Sequence, residues 1–196
     1  MKEKLANFAN LNLITTDDYP TLSGIIDWDI VTAKFTTEQA ADESLISNIS
    51  IAPVVGDSYV MMQVESGKWE LAGGTLEPAE PYMDALKREV KEELGAELVS
   101  YTRIGHFKCQ SAAEGPFRSH IPHPHFIRLV GYGEVHIVGA PLNPPDGEQV
   151  VAVEIVSIEE AVRRFEAIDR YDIAELYRLA HNMRRLKGCV HKERTP

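Results

Sequence analysis

An amphipathic helix between two groups of strands is the feature that most restricts how this chain can fold. Pro81 suits the first turn of a helix because it has no N–H to leave unpaired there, and Gly95 tolerates the left-handed conformation that commonly follows a helix. Between them, apolar residues recur at helical spacing on one side: Met83, Leu86, Val90 and Leu94. We therefore predict a helix over residues 81–94 with this side buried.

Strand signals flank this helix. "ISIAPVV", "SYVMMQV" and "WEL" precede it, separated by turn residues, and "ELVSYTRIGHFKCQ", "HFIRLVGYGEVHIVG" and "QVVAVEIV" follow it. "SIEEAVRRF" then predicts a helix with Ser157 and Glu160 at capping-box spacing, and a last amphipathic helix is expected to end at Gly188. The pattern predicts an α/β (α+β) sandwich with a mixed sheet.

The start of the chain has the pattern of an extension. Ile26, Trp28 and Ile30 alternate with aspartates, as in a half-buried strand, and a short helix is predicted over residues 37–46. A chain of 196 residues holds one sizeable core. We therefore expect an N-terminal extension at residues 1–48, one domain with a C-terminal helix at 49–188, and a tail at 189–196.

The charge balance restricts the partners. Twenty Lys and Arg against thirty Asp and Glu give a net charge of -10, which repels nucleic-acid polymers and anionic membranes. Cys109 and Cys189 have no metal-ligand spacing and are interpreted as free thiols. With no apolar run typical of a secretory signal or a membrane span, a cytoplasmic protein is expected.

Three glutamates of the predicted helix need a reason beyond helix stability. Glu89, Glu92 and Glu93 edge the buried side, where like charges one turn apart weaken a helix by about 0.2–0.5 kcal/mol. Two of them lie near the C-terminal end, where the helix dipole disfavours anions. Carboxylates at this spacing converge on a divalent cation such as Mg²⁺, which takes oxygen ligands. Gly73 and Gly74, just before the helix, allow a sharp turn or a close ligand.

These residues carry a family resemblance. Gly74, five residues, Glu80, seven residues and then "REVKEELGA" resemble the Nudix box, Gly-x5-Glu-x7-Arg-Glu-U-x-Glu-Glu-x-Gly-U, in which U is a bulky aliphatic residue. Every fixed position is met over residues 74–96. Ala96 is smaller than the pattern prefers, and Ala72 stands where many relatives carry proline, but both positions concern packing.

The resemblance implies a Nudix α/β/α sandwich that hydrolyses the diphosphate linkage of a nucleoside diphosphate joined to another moiety, with Mg²⁺ or Mn²⁺. It implies Glu89, Glu92 and Glu93 as metal ligands, Arg88 as the residue that orients them, and Glu80 as a support or a ligand of a further metal. Glu93, Glu92 and Arg88 would then belong to the catalytic machinery. The general base stays open between Glu93, Glu148 and Glu114.

Several residues outside the box have both a functional and an ordinary interpretation. Arg128 and Tyr132 fall on the strand face opposite Ile127 and Leu129, where they would contact a phosphate and a base or sugar, or form a surface pair. With Gly73 and Gly74, Arg128 completes the predicted substrate contacts. The histidines of "SHIPHPH" would bind metal or phosphate, or would simply belong to a loop: His120, His123 and His125. Trp28 would stack on a base or join the core.

Two further functions compete with hydrolysis. A Nudix module that senses a nucleotide without turnover would not need all the box glutamates, and this chain keeps them. Isomerisation of a prenyl diphosphate would need a proton-transfer pair, for which Cys109 is the only candidate thiol. The N-terminal extension and the last helix are the expected sources of substrate specificity or of a homodimer contact.

Overall fold

The computed structural model describes residues 18–40, 42–145 and 147–192, with side chains up to residue 187. The helices are α1 (Pro20–Ser23), α2 (Tyr82–Leu94), α3 (Ile158–Glu166) and α4 (Tyr171–Lys192). The strands are β1 (Ile25–Trp28), β2 (Val31–Thr36), β3 (Ile46–Val55), β4 (Ser58–Val64), β5 (Trp69–Glu70), β6 (Gly73–Thr75), β7 (Ala96–Leu98), β8 (Thr102–Ser111), β9 (His125–Ile137) and β10 (Val150–Val156). No helix of this described part is long and apolar enough to cross a membrane.

One mixed sheet forms the centre of the molecule. Its main strands lie in the order β1-β2-β8-β9-β3-β4-β10, while the short strands β5, β6 and β7 pair with β4, β3 and β9. β3 and β9 run parallel, and their neighbours pair antiparallel. The mixed sheet predicted from the sequence is therefore confirmed.

The two faces of the sheet carry separate cores, because successive side chains of a strand point to opposite sides. Ile49 and Ile51 of β3 pack with Leu86 of α2 on one face. Ala52 and Val54 of the same strand pack on the other face with the residues of α3 and α4, among them Phe165, Ile173, Leu176 and Tyr177. The result is the predicted α/β/α sandwich.

The helix ends follow the capping residues in the sequence. Pro81 stands at the N-cap of α2, and Gly95 adopts the left-handed conformation at φ 60° and donates its N–H to Lys91 O at 3.2 Å. Ser157 accepts a hydrogen bond from Glu160 N at 3.2 Å and starts α3. The predicted helix at residues 81–94 and the predicted cap at Ser157 are confirmed.

Two predictions about helices are wrong: one predicted helix does not form, and another ends later than predicted. The segment predicted as a helix at residues 37–46 has one 3-10 turn in its described part, Glu43–Leu45, because Asp42 accepts from Ser44 N and Ile46 joins the sheet beside Ile127. α4 passes through Gly188 and ends at Lys192, since a glycine costs a helix only about 1 kcal/mol and does not force it to stop. Residues 193–196 of the predicted tail lie outside the described residues.

The described part of the N-terminal segment is built into the sheet. β1 and β2 form a hairpin, and β2 pairs with β8 from Val31 opposite Ser111 to Thr36 opposite His106. Glu175 of α4 accepts the backbone N–H groups of Thr21 at 3.0 Å and Leu22 at 2.8 Å. The boundary predicted after residue 48 falls inside β3, and residues 1–17 lie outside the described part.

Candidate active site

Arg88 of α2 connects the carboxylates around it. Its Nε and Nη2 donate to the two oxygens of Glu80, each at 3.0 Å, and its Nη1 donates to Glu89 Oε1 at 2.8 Å and Glu92 Oε2 at 3.2 Å. Nη2 also reaches the carbonyl of Thr75 at 3.3 Å. The guanidinium therefore fixes the loop before α2 and two glutamates of the helix in one arrangement.

The glycine pair makes room for the other carboxylate contacts. A Cβ on Gly74 would lie 2.0 Å from Glu89 Oε1, so that side chain rests directly on the glycine. Gly73 has φ +131°, and its N–H donates to Glu93 Oε2 at 2.8 Å. The close approach predicted for Gly73 and Gly74 thus serves the glutamates of α2.

The environments of the carboxylates differ. Hydrogen bonds from Arg88 lower the pKa of Glu80, while burial raises the pKa of Glu89 against the opposing effect of Arg88. Burial raises the pKa of Glu93 to about 8, opposed by the Gly73 N–H and reinforced by Glu89, Glu148 and Glu92. Glu93 is held by a neutral backbone N–H, whereas Glu80 and Glu89 are held by the guanidinium of Arg88.

The free carboxylate oxygens of α2 are of the kind that binds a hard divalent cation. Among the described residues, however, no three acidic, histidine or cysteine side chains are gathered closely enough to hold one. Arg88 donates a hydrogen bond to one oxygen of Glu89 and to one oxygen of Glu92, and the Gly73 N–H donates to one oxygen of Glu93. The second oxygen of each has no hydrogen bond in the described part. Carboxylate oxygens are what Mg²⁺ and Mn²⁺ prefer. Both oxygens of Glu80 are engaged by Arg88 and Glu77 N, which favours its supporting role.

The three candidate bases separate by position. Glu93 lies against β6, and Glu148 is exposed in the loop before β10 but near enough to raise the pKa of Glu93. Glu114 is exposed in the loop between β8 and β9 and makes no hydrogen bond or ion pair with a described residue. Of the two loop candidates, Glu148 and not Glu114 affects the pKa of Glu93.

Arg128 lies on β9 on the face opposite Ile127 and Leu129, as the alternation predicts. Its guanidinium stands over the Trp28 ring at 5.1 Å from the centroid, and burial lowers its pKa. Trp28 also packs edge-on against Phe107 at 5.0 Å and donates Nε1–H to Asp172 at 3.2 Å, so it belongs to the core. Tyr132 is buried in the same core.

Two of the three loop histidines hold the segment between β8 and β9 in place. His120 Nε2 is bonded to the carbonyl of Leu76 at 2.8 Å and His123 Nε2 to that of Ala113 at 2.9 Å. His125 is exposed at the start of β9 and makes no described side-chain contact. Arg118 reinforces the link to the loop before α2 through Glu77 Oε1 at 2.7 Å. The loop interpretation of these histidines is the one that the contacts favour.

A comparison with known families identifies the chain. A family model described as the NUDIX domain matches residues 47–177, which include the sheet from β3 onward, α2 and the start of α4. This chain belongs to the Nudix family. The family predicted from the box is therefore confirmed.

Curated proteins share a short stretch with this Nudix chain. A nucleoside triphosphatase NudI of Escherichia fergusonii is 54% identical over 33 residues, which are 17% of this chain and 23% of that protein. The protein of the same name from Salmonella schwarzengrund gives the same figures. The chain thus matches about a quarter of the length of these relatives.

A solved structure supports the fold. A mutant of the Bacillus subtilis pyrophosphohydrolase BsRppH aligns with a TM-score of 0.52 at 17% identity, covering 67% of this chain and 76% of that one. At this identity the likeness concerns the fold alone.

A cavity of about 330 Å³ is lined by Thr75 of β6, on the face of the sheet opposite the one where Gly74 meets Glu89. Asn48 and Thr75 both line it and are joined by a hydrogen bond from Asn48 Nδ2 to Thr75 Oγ1 at 2.8 Å. Neither residue stands out in the sequence, because only the register of β3 with β6 brings them together. The other lining residues come from the β1–β2 hairpin, from the end of β8 and the start of β9, and from the segment between these two strands.

Proposed function

We propose that this Nudix protein is a metal-dependent pyrophosphohydrolase that cleaves the diphosphate linkage of a nucleoside diphosphate derivative. The observation that supports this most is the arrangement around Arg88, which holds Glu80, Glu89 and Glu92 at one place while Glu93 is held by Gly73. The partner is then a small nucleotide-type molecule, in keeping with a net charge of -10 that disfavours nucleic-acid polymers.

Glu89, Glu92 and Glu93 are the residues that would hold Mg²⁺ or Mn²⁺ in this proposal. When bound, such an ion neutralises the diphosphate and makes a water more acidic. Arg88 positions two of these ligands, and Glu80 in turn positions Arg88 through both of its oxygens. Because Gly73 and Gly74 have no side chains, the backbone of β6 and the carboxylates of α2 come close together at the place proposed for the substrate.

Proton transfer from the attacking water is assigned to Glu148. The water oxygen forms a bond to phosphorus, the bridging P–O bond breaks, and the water proton goes to the base, leaving two phosphate-bearing products. Glu148 is exposed and near enough to Glu93 to raise its pKa, whereas Glu93 itself is assigned as a metal ligand in this proposal. A base must lie within reach of the water it deprotonates, and Glu114 has no described contact with this cluster.

The test is turnover of a broad nucleotide panel with Mg²⁺ or Mn²⁺, measured as release of phosphate-bearing products. Glu93→Gln should abolish most of the activity, and Glu148→Gln should lower kcat and flatten the pH profile. Glu97→Gln, which removes the same charge from the exposed face of β7, is the matched control and should keep wild-type rates. Failure of the wild-type protein to hydrolyse any member of the panel would refute the proposal.

The two alternatives make different demands. A sensing module would bind a nucleotide tightly without turnover, and Glu93→Gln would not change that behaviour. An isomerase would need a reactive thiol, but Cys109 is buried and its pKa is raised by burial to about 12. The complete set of glutamates around Arg88 favours hydrolysis over both.

A further inference from the structure

We propose that the cavity beside β6 binds the base of the substrate and that Arg128 selects a base with a carbonyl acceptor edge, guanine foremost. This inference rests on the proposed function, because it places the phosphates of the same substrate at the carboxylates of α2. It adds a specificity determinant that depends on Trp28, a residue of the N-terminal hairpin outside the region matched by the family model.

The register of the sheet connects the cavity to the carboxylates. Asn48 of β3 is paired with Thr75 of β6 on one side and with Arg128 of β9 on the other. Paired residues share a face and neighbouring strands lie about 4.8 Å apart, so the backbone of Arg128 is about 10 Å from that of Thr75. Gly74, the neighbour of Thr75, faces Glu89 on the other side of the sheet. The carbonyl of Thr75 accepts from Arg88 Nη2 at 3.3 Å, so β6 is the element that joins the cavity to the carboxylates.

The size and surface of the cavity suit one flat ring system. Its volume of about 330 Å³ is at the lower end of the range of about 300–1,000 Å³ for small-molecule sites. Its walls are mostly apolar, with Ile30 and Val31 on one side and Ile121 and Phe126 on another. Phe117 stands at the rim with 87% of its surface exposed, so a stacked base would cover an aromatic ring that now faces water.

Among the described residues that line this cavity, Arg128 is the one arginine or lysine, and its hydrogen-bonding capacity is unused. No hydrogen bond or ion pair joins its side chain to another residue in the described ranges, and one face of its guanidinium is covered by Trp28. Asn48 is engaged with Ser47 and Thr75, and His123 with the Ala113 carbonyl. Arg128 also lines a smaller cavity of about 60 Å³ with Glu70 and Asp172, so its N–H groups border both spaces and are available to a ligand.

The N–H groups of Arg128 can only donate hydrogen bonds, so they favour a base that presents acceptors. On the edge that carries O6 and N7, guanine presents two acceptors and pairs with arginine through two hydrogen bonds, while the corresponding edge of uracil presents only O4. Adenine and cytosine place an amino donor, N6 or N4, at the corresponding positions, where it would face the donors of Arg128. The expected order is guanine first, uracil next, and the amino bases last.

Trp28 is a positioning residue for this contact. Its indole N–H is bonded to Asp172 of α4 at 3.2 Å, and Asp172 accepts in turn from Arg170 Nε at 3.0 Å. The ring under Arg128 is thus fixed by the C-terminal helix. Trp28→Phe keeps an aromatic ring but removes this bond, so it should weaken base selection while leaving the charge of the site unchanged.

The experiment compares kcat/KM for GTP, UTP, ATP and CTP with Mg²⁺. We expect GTP to exceed ATP at least about tenfold, mostly through KM, because the base lies away from the reacting phosphorus. Arg128→Gln should bring this ratio close to one, and Arg128→Lys, which keeps the charge but not the two-pronged geometry, should also reduce it. Arg185→Gln, on the exposed side of α4, is the matched control and should keep the wild-type ratio.

Each outcome decides a separate claim. Equal turnover of the four nucleotides, a preference for ATP or CTP, or an unchanged ratio in both Arg128 variants would overturn the role of Arg128 and leave the proposed hydrolysis standing. If none of these four nucleotides is hydrolysed, the hydrolase proposal is decided by the broad nucleotide panel. Equilibrium binding of the four nucleotides to Glu93→Gln then tests base selection without turnover, and equal dissociation constants would overturn it.

Discussion

The guanidinium of Arg88 holds the carboxylate of Glu80 through two parallel hydrogen bonds, Nε to Oε1 and Nη2 to Oε2, each 3.0 Å long. This two-pronged pairing fixes the orientation as well as the distance, which a lysine would not do. It ties the loop before α2 to the helix, and the remaining nitrogen of Arg88 reaches Glu89 and Glu92. The positions of the proposed metal ligands therefore depend on a residue that need not contact the metal.

Arg88→Lys should lower kcat/KM on Mg²⁺-dependent hydrolysis by about 10–100-fold, the usual effect of losing a residue that orients metal ligands. Stability should change by at most about 1 kcal/mol, because the pair is partly exposed. Steady-state kinetics together with urea denaturation check both statements. Lys87→Gln changes the neighbouring exposed cation and should retain activity. Wild-type kinetics in Arg88→Lys would contradict the positioning role.

The two glycines of β6 should respond differently to an added methyl group. At Gly74 the new Cβ would meet the Glu89 side chain at 2.0 Å, so Gly74→Ala should displace that carboxylate and reduce activity more than stability. At Gly73 the Cβ would lie 2.2 Å from the backbone oxygen of Ile49, and the backbone has φ +131°. Gly73→Ala should therefore destabilise the fold, by about 1–3 kcal/mol.

Urea denaturation and metal-dependent kinetics on the two variants separate these effects. The prediction for Gly74 would be contradicted by a variant that loses stability in proportion to its activity. The prediction for Gly73 would be contradicted by a variant as stable as the wild type.

The sequence predicted the features that depend on neighbours along the chain. α2 with its cap at Gly95 and the N-cap at Ser157 follow from local chemistry, and the box follows from spacing within one loop and one helix. The contact of Glu89 with Gly74 was partly visible, since a glycine pair before the helix already indicated a close approach.

The features that the sequence did not predict depend on pairing between distant strands. The 37–46 segment has helical composition, but Ile46 pairs with Ile127, far along the chain, and that tertiary pairing overrides local propensity. Thr75, Asn48 and Arg128 come together only through the register of three strands. No periodicity in a single segment contains that information.

Glu175 of α4 should contribute to stability by holding α1 against α4. Its buried carboxylate accepts the N–H groups of Thr21 and Leu22, which have no helical partner at the start of α1. Glu175→Ala leaves both donors unsatisfied and should cost about 1–3 kcal/mol in the free energy of unfolding. Glu175→Gln keeps one acceptor oxygen and should cost less.

Urea denaturation measures the cost, and amide hydrogen exchange at Thr21 and Leu22 locates it. Glu65→Ala removes an exposed carboxylate and serves as the matched control. Unchanged exchange at these two amides in Glu175→Ala would show that the carboxylate does not hold this segment.

His106 should make the fold sensitive to acid. Its ring is fully buried on β8, and neither ring nitrogen has a hydrogen-bond partner among the described residues. Its pKa is lowered first by burial and then by Lys108 and Arg103, against a smaller opposing effect of Glu38. The unfolded chain therefore takes up the proton at higher pH than the folded one. The stability that neutral His106 contributes is present above the ordinary histidine pKa of about 6.5 and declines as the pH falls below it.

His106→Leu should remove this decline, because leucine fills the site without a group that titrates. The free energy of unfolding, measured in urea from pH 8 to pH 5, should fall less steeply for this variant than for the wild type. At pH 8 the variant should be about as stable as the wild type or more stable, since no buried ring nitrogen is left unpaired. His181, whose pKa is also lowered by burial, contributes acid sensitivity of the same sign in both proteins and cancels in the difference. His125→Gln, at an exposed position on β9, is the control and should reproduce the wild-type slope. Parallel curves for wild type and His106→Leu would show that the buried imidazole is not the source of the acid sensitivity.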